Sequence, residues 1–180
     1  MVLGSATLAG MRSPQPEPLL ILRVDYGHPD AVRLVEEVQA EYVVRYGSPD
    51  DTPIDPAMFE PPLGSFFVGY LGDQPVAMGA WRRRRDVEVF GTTATAEVKR
   101  MYVAACARRR GMSRLVLAHI ERSATAAGFE ALVLETGLAQ PEAIALYESA
   151  GYTTVPAYGH YSDSPLSRCF GRALGAERAS

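Results

Sequence analysis

The sequence has little cysteine, little histidine and a single lysine, Lys99. The shortage of cysteine and histidine argues against several classes of protein. Its two cysteines, Cys106 and Cys169, lie far apart and form no CxxC pair, so a disulfide-stapled scaffold is excluded. Three histidines without an HExxH cluster argue against a metal site, and we predict that no metal is needed. The net charge of −3 lacks the basic surplus of nucleic-acid-binding proteins, so no nucleic acid is expected as a partner.

Long apolar runs are also missing. No run approaches the roughly 18 residues of a membrane span, so no membrane partner is expected. Residues 1–18 lack the basic start and the apolar stretch of a signal peptide and are rich in proline, which predicts a disordered arm in a cytoplasmic protein. One domain is predicted over 19–175, followed by a flexible tail over 176–180.

The sequence does contain the composition and the periodicity of a folded α/β domain. Its 180 residues are 47% apolar and 22% charged, which is ordinary for a globular protein. Period-2 and branched runs predict strands, and apolar spacing of three or four residues predicts helices. Strands are predicted over 19–25, 66–71, 75–81, 96–103, 131–135, 152–155 and 166–173, and helices over 29–45, 112–127 and 141–150. This order predicts a partly antiparallel sheet with helices on its faces and a right-handed parallel crossover over 98–134.

The segment Arg108–Ser113 lies between a predicted strand and a predicted amphipathic helix. A turn at a helix N-terminus presents free backbone N–H groups, and these donors bind phosphate together with the helix dipole. Gly111 permits close approach of the backbone, and arginine adds charge-assisted contacts. A basic, solvated loop that only caps the helix is the equally simple alternative for this segment alone.

Three segments in sequence order resemble the GNAT acetyltransferase superfamily. The letters RRRGMS at 108–113 resemble its Q/R-x-x-G-x-G/A signature, whose turn holds the pyrophosphate of coenzyme A. Residues 97–103 resemble its fourth strand, and QPEAIALYESAGY at 140–152 resembles its N-x-x-A-x-x-L-Y-x-x-x-G-F segment. Two departures are Ser113 for glycine or alanine and Gln140 for the asparagine that touches the pantetheine arm in relatives.

This resemblance implies a fold and a co-substrate. The implied fold is α/β: a single-domain GNAT fold with a mixed, mostly antiparallel sheet of about six to seven strands and helices on both faces. The implied co-substrate is acetyl-CoA, with the pantetheine arm pairing to backbone groups of the fourth strand. The residues implied to bind it are Met101, Val103, Arg108, Arg109, Arg110, Gly111, Met112, Ser113, Gln140 and Ala143.

The resemblance also implies catalytic residues. Relatives have a tyrosine at the position of Tyr147, beside the coenzyme sulfur, and a phenol of pKa about 10 can protonate a departing thiolate. Relatives often have their general base at the position of Glu97, because an acceptor amine of pKa near 10 must lose a proton before attack. Glu135 is a competing carboxylate. A core tyrosine and a solvated strand-end acid are the structural alternatives for Tyr147 and Glu97.

Several residues are candidates for contact with the acceptor. Loops at the place of Tyr158, His160 and Tyr161 line acceptor pockets in relatives, and Glu135 is a further candidate contact. The arginine run 82–85 is predicted to be a solvated strand edge, with the docking of an acidic acceptor group as the alternative.

The predicted activity is direct transfer of acetyl from acetyl-CoA to a primary amine of a small molecule, as expected of a bacterial member of the family. One alternative is acetylation of a protein N-terminus or lysine, and another is a non-catalytic acyl-CoA sensor. Because dimers are common in the family, a homodimer is also expected.

Overall fold

Seven strands form one sheet in the computed structural model, which describes residues 17–175. The strands are β1 (Leu20–Val24), β2 (Gly64–Leu71), β3 (Gln74–Arg84), β4 (Thr95–Val103), β5 (Ala131–Gly137), β6 (Thr153–Thr154) and β7 (Ser167–Ala173). The helices are α1 (Pro29–Tyr46), α2 (Met112–Ala126) and α3 (Pro141–Ser149). The predicted order of helices and strands is confirmed, with differences only at element ends.

The strands lie in the order β1-β2-β3-β4-β5-β7-β6. Every neighbouring pair is antiparallel except β4 and β5, which α2 joins by the predicted parallel crossover. The predicted mixed, mostly antiparallel sheet is therefore confirmed. β3 continues from Trp81 to Arg84, because its last residues pair with the start of β4.

Local sequence explains where two of the helices begin. Pro29 and Pro141 occupy the first turn of α1 and α3, where a missing N–H is tolerated. The side chain of His28 accepts a hydrogen bond of 3.2 Å from the N–H of Asp30 and so caps α1.

Helices cover both faces of the sheet, as predicted. On one face, α1 packs against β2 and β3, and the buried residues there include Ala31, Leu34, Val38, Phe66, Val68 and Met78. On the other face, α2 and α3 pack over the sheet, and the buried residues include Phe67, Ala77, Trp81, Val116, Ile120 and Tyr147. Gly79 lets α2 lie close to β3, since a Cβ there would stand 2.7 Å from Ile120 Cδ1.

β4 contains a β-bulge near its middle. Ala80 pairs with Lys99 and Met78 pairs with Tyr102, so two steps along β3 face three steps along β4. Arg100 lies inside the bulge with a φ of +55°. The extra residue breaks the usual alternation of side chains at this point of the strand.

The ladder between β4 and β5 is short. It runs from Thr95 opposite Ala131 to Val98 opposite Leu134, although both strands continue beyond these positions. The second halves of β4 and β5 therefore diverge, and a cleft opens between them.

Two predicted segments fall wholly or mostly outside the described residues: the tail 176–180, and the arm 1–18 apart from Glu17 and Pro18. Over 17–175, none of the helices combines the length and the apolar character needed to cross a bilayer.

Candidate active site

Two cavities share the cleft between β4 and β5. One, the turn cavity, has a volume of about 970 Å³ including solvent at its mouth and is lined by α1, β4, the turn 108–113 and α3. The other, the tyrosine cavity, has a volume of about 740 Å³ on the same basis and is lined by the end of α1, loop 48–52, β5 and residues 161–167. Tyr42 and Gln140 line both cavities and so stand at their boundary.

The turn cavity collects nearly all the residues predicted to bind the coenzyme. Its lining includes Met101, Val103, Arg108, Arg109, Gly111, Met112, Ser113, Gln140 and Ala143. Arg110 lies outside this lining. These residues come from three separate segments of the chain. The fold brings together residues that the sequence linked only through the family resemblance.

The turn before α2 has the backbone of an anion site. Gly111 caps α2 with a φ of +78°, and Arg109 is also in the left-handed region, at +59°. Within residues 17–175, no group accepts a hydrogen bond from the N–H groups of 109–113. Free N–H donors at a helix N-terminus, reinforced by the helix dipole, fit a phosphate group.

The arginines of this turn differ in their contacts. Arg108 donates to the Val103 carbonyl oxygen at 2.9 Å, pairs with Glu41, and lies 5.5 Å from the Tyr102 ring centroid. It therefore ties the turn to β4 and α1. Arg109 has no ion-pair partner among the described residues, so its charge is available to a ligand of the turn cavity.

Tyr147 extends from α3 into the wall of the turn cavity. Its side chain is buried, and its ring lies 5.7 Å from the ring centroid of Tyr152. Burial raises the pKa of Tyr147 well above the ordinary phenol value. The hydroxyl therefore stays protonated at neutral pH and can donate a hydrogen bond or a proton.

Glu97 lies in a buried ion cluster and lines neither cavity. Only 1% of it is exposed, and its Oε2 accepts from Arg82 Nε at 2.7 Å and Arg84 Nη1 at 2.8 Å. Its Oε1 lies 3.6 Å from Lys99 Nζ. Burial by itself would raise the pKa of Glu97, but these three cations together hold it below its usual value. Such surroundings make Glu97 a weak base and a strong counter-ion.

Glu135, on β5, lines the tyrosine cavity. Its Oε1 accepts a hydrogen bond of 2.6 Å from Ser167 Oγ. Burial raises the pKa of Glu135, although Ser167 and the charge of Lys99 act in the opposite direction. A half-buried carboxylate with a raised pKa is a better proton acceptor than an ordinary surface glutamate.

Only one of the three aromatic loop residues predicted to contact the acceptor lines the tyrosine cavity. The Tyr161 hydroxyl lies 3.0 Å from Asp50 Oδ1 and 2.6 Å from Asp51 Oδ1. His160 Nε2 lies 3.1 Å from Asp51 Oδ1, outside the lining. Tyr158 packs beneath the site, with its ring centroid 5.0 Å from the Arg84 guanidinium carbon.

The arginine run 82–85 is not the solvated edge that the sequence predicts. Arg82 and Arg84 point their guanidinium groups at buried Glu97, and Arg84 also binds Asp86. Arg83 lies 5.8 Å from the Phe129 ring centroid. The expectation of a solvated edge is wrong for these three residues, because their partners are other parts of the fold.

Sequence reasoning missed most of the tyrosine cavity, including Tyr42, Tyr46, Asp50 and Lys99. Tyr42 and Tyr46 lie one helical turn apart at the end of α1, a spacing that the apolar stripe of the helix also explains. Gln140 Nε2 donates to the Tyr46 hydroxyl at 3.1 Å. Within residues 17–175, no group of three potential metal-ligating side chains occurs.

The sequence matches a family of known enzymes. The Acetyltransferase (GNAT) family model matches residues 31–152, more than half of the chain. An IAA acetyltransferase of Azospirillum brasilense is 33% identical over 136 residues, covering 76% of this chain and 85% of that protein. An uncharacterized N-acetyltransferase of Bacillus subtilis, YsnE, is 33% identical over 105 residues, covering 57% of this chain and 65% of its own length.

The fold has close counterparts among solved structures. A protein described as a candidate acyl-CoA N-acyltransferase from Klebsiella pneumoniae superposes with a TM-score of 0.70 at 23% identity, covering 87% of this chain and 97% of its own. This likeness confirms the fold that the resemblance implied. Together with the family match and the Azospirillum relative, it shows that the chain belongs to the GNAT family and is an acetyl-CoA-dependent acyltransferase.

Proposed function

We propose that this enzyme transfers acetyl from acetyl-CoA directly to a primary amine of a small molecule. The donor binds in the turn cavity and the acceptor in the tyrosine cavity. The observation that carries the proposal is the shared boundary of the two cavities at Tyr42 and Gln140. A thioester and an amine that approach this boundary from opposite sides can react without a covalent acyl-enzyme.

The chain's own groups suit the donor. Acetyl-CoA supplies an activated acetyl thioester and a pyrophosphate. The N–H groups of 109–113 and the guanidinium of Arg109 would hold the pyrophosphate, and the diverging half of β4 would offer Met101 and Val103 backbone groups to the pantetheine arm.

We assign the role of general base to Glu135 in preference to Glu97. The amine must lose a proton before attack, and Glu135 lines the cavity that receives the amine. Glu97 is enclosed by Arg82 and Arg84, which stabilise its charged form and weaken it as a base.

We assign the role of general acid to Tyr147. Its pKa lies above the ordinary phenol value because of burial, so the proton is present throughout the neutral range. Its position in the wall of the turn cavity puts this proton on the side of the leaving thiolate.

The walls of the tyrosine cavity favour a small acceptor over a peptide. Tyr161 bonds to Asp50 and Asp51 and so connects the loop before β7 to the loop after α1. A peptide substrate would need an open groove at this place. The homodimer and the cytoplasmic location stay predictions.

A panel of amines with acetyl-CoA tests the proposal, with release of free thiol as the measurement. The panel holds small primary amines and peptides with a free N-terminus or lysine. IAA is tested beside the panel because it stands in the name of the Azospirillum relative. We expect thiol release with small amines. Release with peptides alone would support a protein acetyltransferase, and tight acetyl-CoA binding without release would support a sensor.

A further inference from the structure

Lys99 is the one lysine of the chain, and it lies in the wall of the tyrosine cavity. Lys99 is the first residue of β4 past its ladder with β5, and its neighbour Arg100 is bonded to Asp50 at 2.9 Å. Only 11% of the Lys99 side chain is exposed. A buried ammonium group requires a negative partner, so the charged groups around Lys99 determine what it can bind.

Lys99 shares the carboxylates near it with other cations. Glu97, 3.6 Å away, is hydrogen-bonded to Arg82 and Arg84. Asp50 is bonded to Arg100. The cluster therefore carries a surplus of positive charge, and this surplus lies on the cavity side, at Lys99.

Glu135 lies in the same cavity wall and is the remaining carboxyl there. Ser167 donates to one of its oxygens, and no cation lies within 4 Å of it among the described residues. The cavity thus presents an ammonium group that shares its carboxylate partner, Glu97, with two arginines, and a carboxyl group, Glu135, with no cation within 4 Å among the described residues. A ligand that carries both an amine and a carboxylate complements this pair.

Resting on the proposed function, we propose that the acceptor is an amino acid, whose amino group faces Glu135 and whose carboxylate is bound by Lys99. The other walls indicate the side chain. Tyr42, Tyr46 and Leu166 offer aromatic and aliphatic surface, so an aromatic or large apolar side chain fits better than a charged one.

A pair of acceptors that differ only in the carboxylate provides the test. L-phenylalanine and 2-phenylethylamine are compared as acceptors by thiol release. We expect the wild type to favour L-phenylalanine in kcat/KM. Lys99→Met should lower the ratio of the two kcat/KM values by about ten- to a hundredfold, the range for loss of a hydrogen bond to a charged group. Lys99→Arg, which keeps the charge, should restore part of the ratio.

An inhibitor that cannot itself be acetylated gives a second measurement. 3-Phenylpropionate has the carboxylate but no amine, so it should compete with the acceptor in the wild type and lose this effect in Lys99→Met. Thermal melting of each variant checks that the fold is retained.

Three outcomes would overturn the proposal. The first is a preference of the wild type for 2-phenylethylamine that persists when the other amino acids are compared with their decarboxylated amines. The second is an unchanged acceptor ratio in Lys99→Met, and the third is inhibition by 3-phenylpropionate that does not depend on Lys99. Thiol release with other small amines in any of these cases would leave the proposed function standing, whereas no release with any amine would refute the function itself.

Discussion

At the scale of single residues, two glutamates on neighbouring strands have opposite surroundings. Glu97 is fully enclosed by cations, whereas Glu135 borders a cavity with Ser167 as its hydrogen-bond donor. The same side chain is therefore held in its charged form at one position and made more basic at the other. This difference is the reason that we propose Glu135, and not Glu97, as the residue that takes a proton from the amine.

Removal of the Glu135 carboxylate should lower activity and change its pH dependence. A base works only when it is deprotonated, so wild-type kcat/KM should fall as pH drops through the raised pKa of Glu135. Glu135→Gln should lower kcat by about 10²- to 10⁴-fold and abolish this limb. Ser167→Ala removes a hydrogen bond that lowers the pKa of Glu135, so the acid limb of the pH profile of this variant should move to higher pH. The measurement is kcat/KM from about pH 5 to 10 for the wild type, Glu135→Gln and Ser167→Ala. The same acid limb in all three enzymes would refute Glu135 as the base.

Tyr147→Phe should show whether Tyr147 acts as a proton donor or only as a packing residue. The substitution keeps the ring beside Tyr152 but removes the hydroxyl. We expect kcat to fall by roughly ten- to a thousandfold, while the Kd of acetyl-CoA, measured by calorimetry, barely changes. A fully active variant would show that Tyr147 only fills the core.

At the scale of elements, the proposed binding of the donor depends on how α2 begins. Gly111 adopts a left-handed conformation at the start of the helix, and Gly128 does so after its end, with φ values of +78° and +87°. Nothing lies within 4 Å of a Cβ placed at either position. The two glycines therefore share the same backbone strain on substitution but differ in their distance from the turn cavity.

Valine at each of these glycines is a matched test of the phosphate turn. Both Gly111→Val and Gly128→Val should lose stability by about 1–2 kcal/mol, because a side chain is strained in this conformation. Only Gly111→Val should also weaken acetyl-CoA binding strongly, since it alters the N–H groups of 109–113. Equal calorimetric Kd values for the two variants would contradict a phosphate site at this turn.

The contact between α1 and β5 shapes the tyrosine cavity. A Cβ on Gly137 would stand 2.0 Å from the Tyr46 hydroxyl oxygen, so Gly137→Ala should push this side chain aside. We expect a higher KM for the acceptor with little loss of stability, because the end of a flexible side chain yields readily. In the Gly137→Ala/Tyr46→Ala double variant, the alanine at 137 should add nothing to the effect of Tyr46→Ala, and additive effects would rule out this contact as the cause.

At the scale of the whole molecule, the cleft and the ion cluster lie next to each other. β4 and β5 separate beyond Val98 and Leu134, and Glu97 lies just before that point, bound to Arg82 and Arg84 of β3. The cluster therefore holds β3 and β4 together where β4 begins to lose its other neighbour.

Glu97→Gln should consequently affect folding more than chemistry. Loss of the charge leaves two guanidinium groups without their buried partner, which costs about 3–5 kcal/mol at neutral pH. The folded pKa of Glu97 lies below its unfolded value of 4.5, so its contribution is present above that value and is lost as pH falls through the folded pKa. Denaturant titrations should show the difference between wild type and variant shrinking towards low pH. A variant that is as stable as the wild type but inactive would return Glu97 to the role of base.

The sequence by itself determined the order of the elements and the family. Local periodicity predicted the helices and strands because it reports which face of each element is buried, and the spacing of the 108–113 and 140–152 segments indicated the family. These features depend on residues that are close together in the sequence and therefore also close together in the structure.

Only the tertiary structure decided which charged groups meet one another. Glu97 and Glu135 are the same type of residue, and the sequence does not show how their surroundings differ. Packing encloses Glu97 among the cations of the arginine run 82–85 and leaves Glu135 at a cavity wall. Lys99 lines the tyrosine cavity just where β4 and β5 stop pairing, and that point is set by contacts between strands that are distant in sequence. Exposure, ion pairing and pKa arise from contacts between distant segments, and such contacts exist only once the chain has folded.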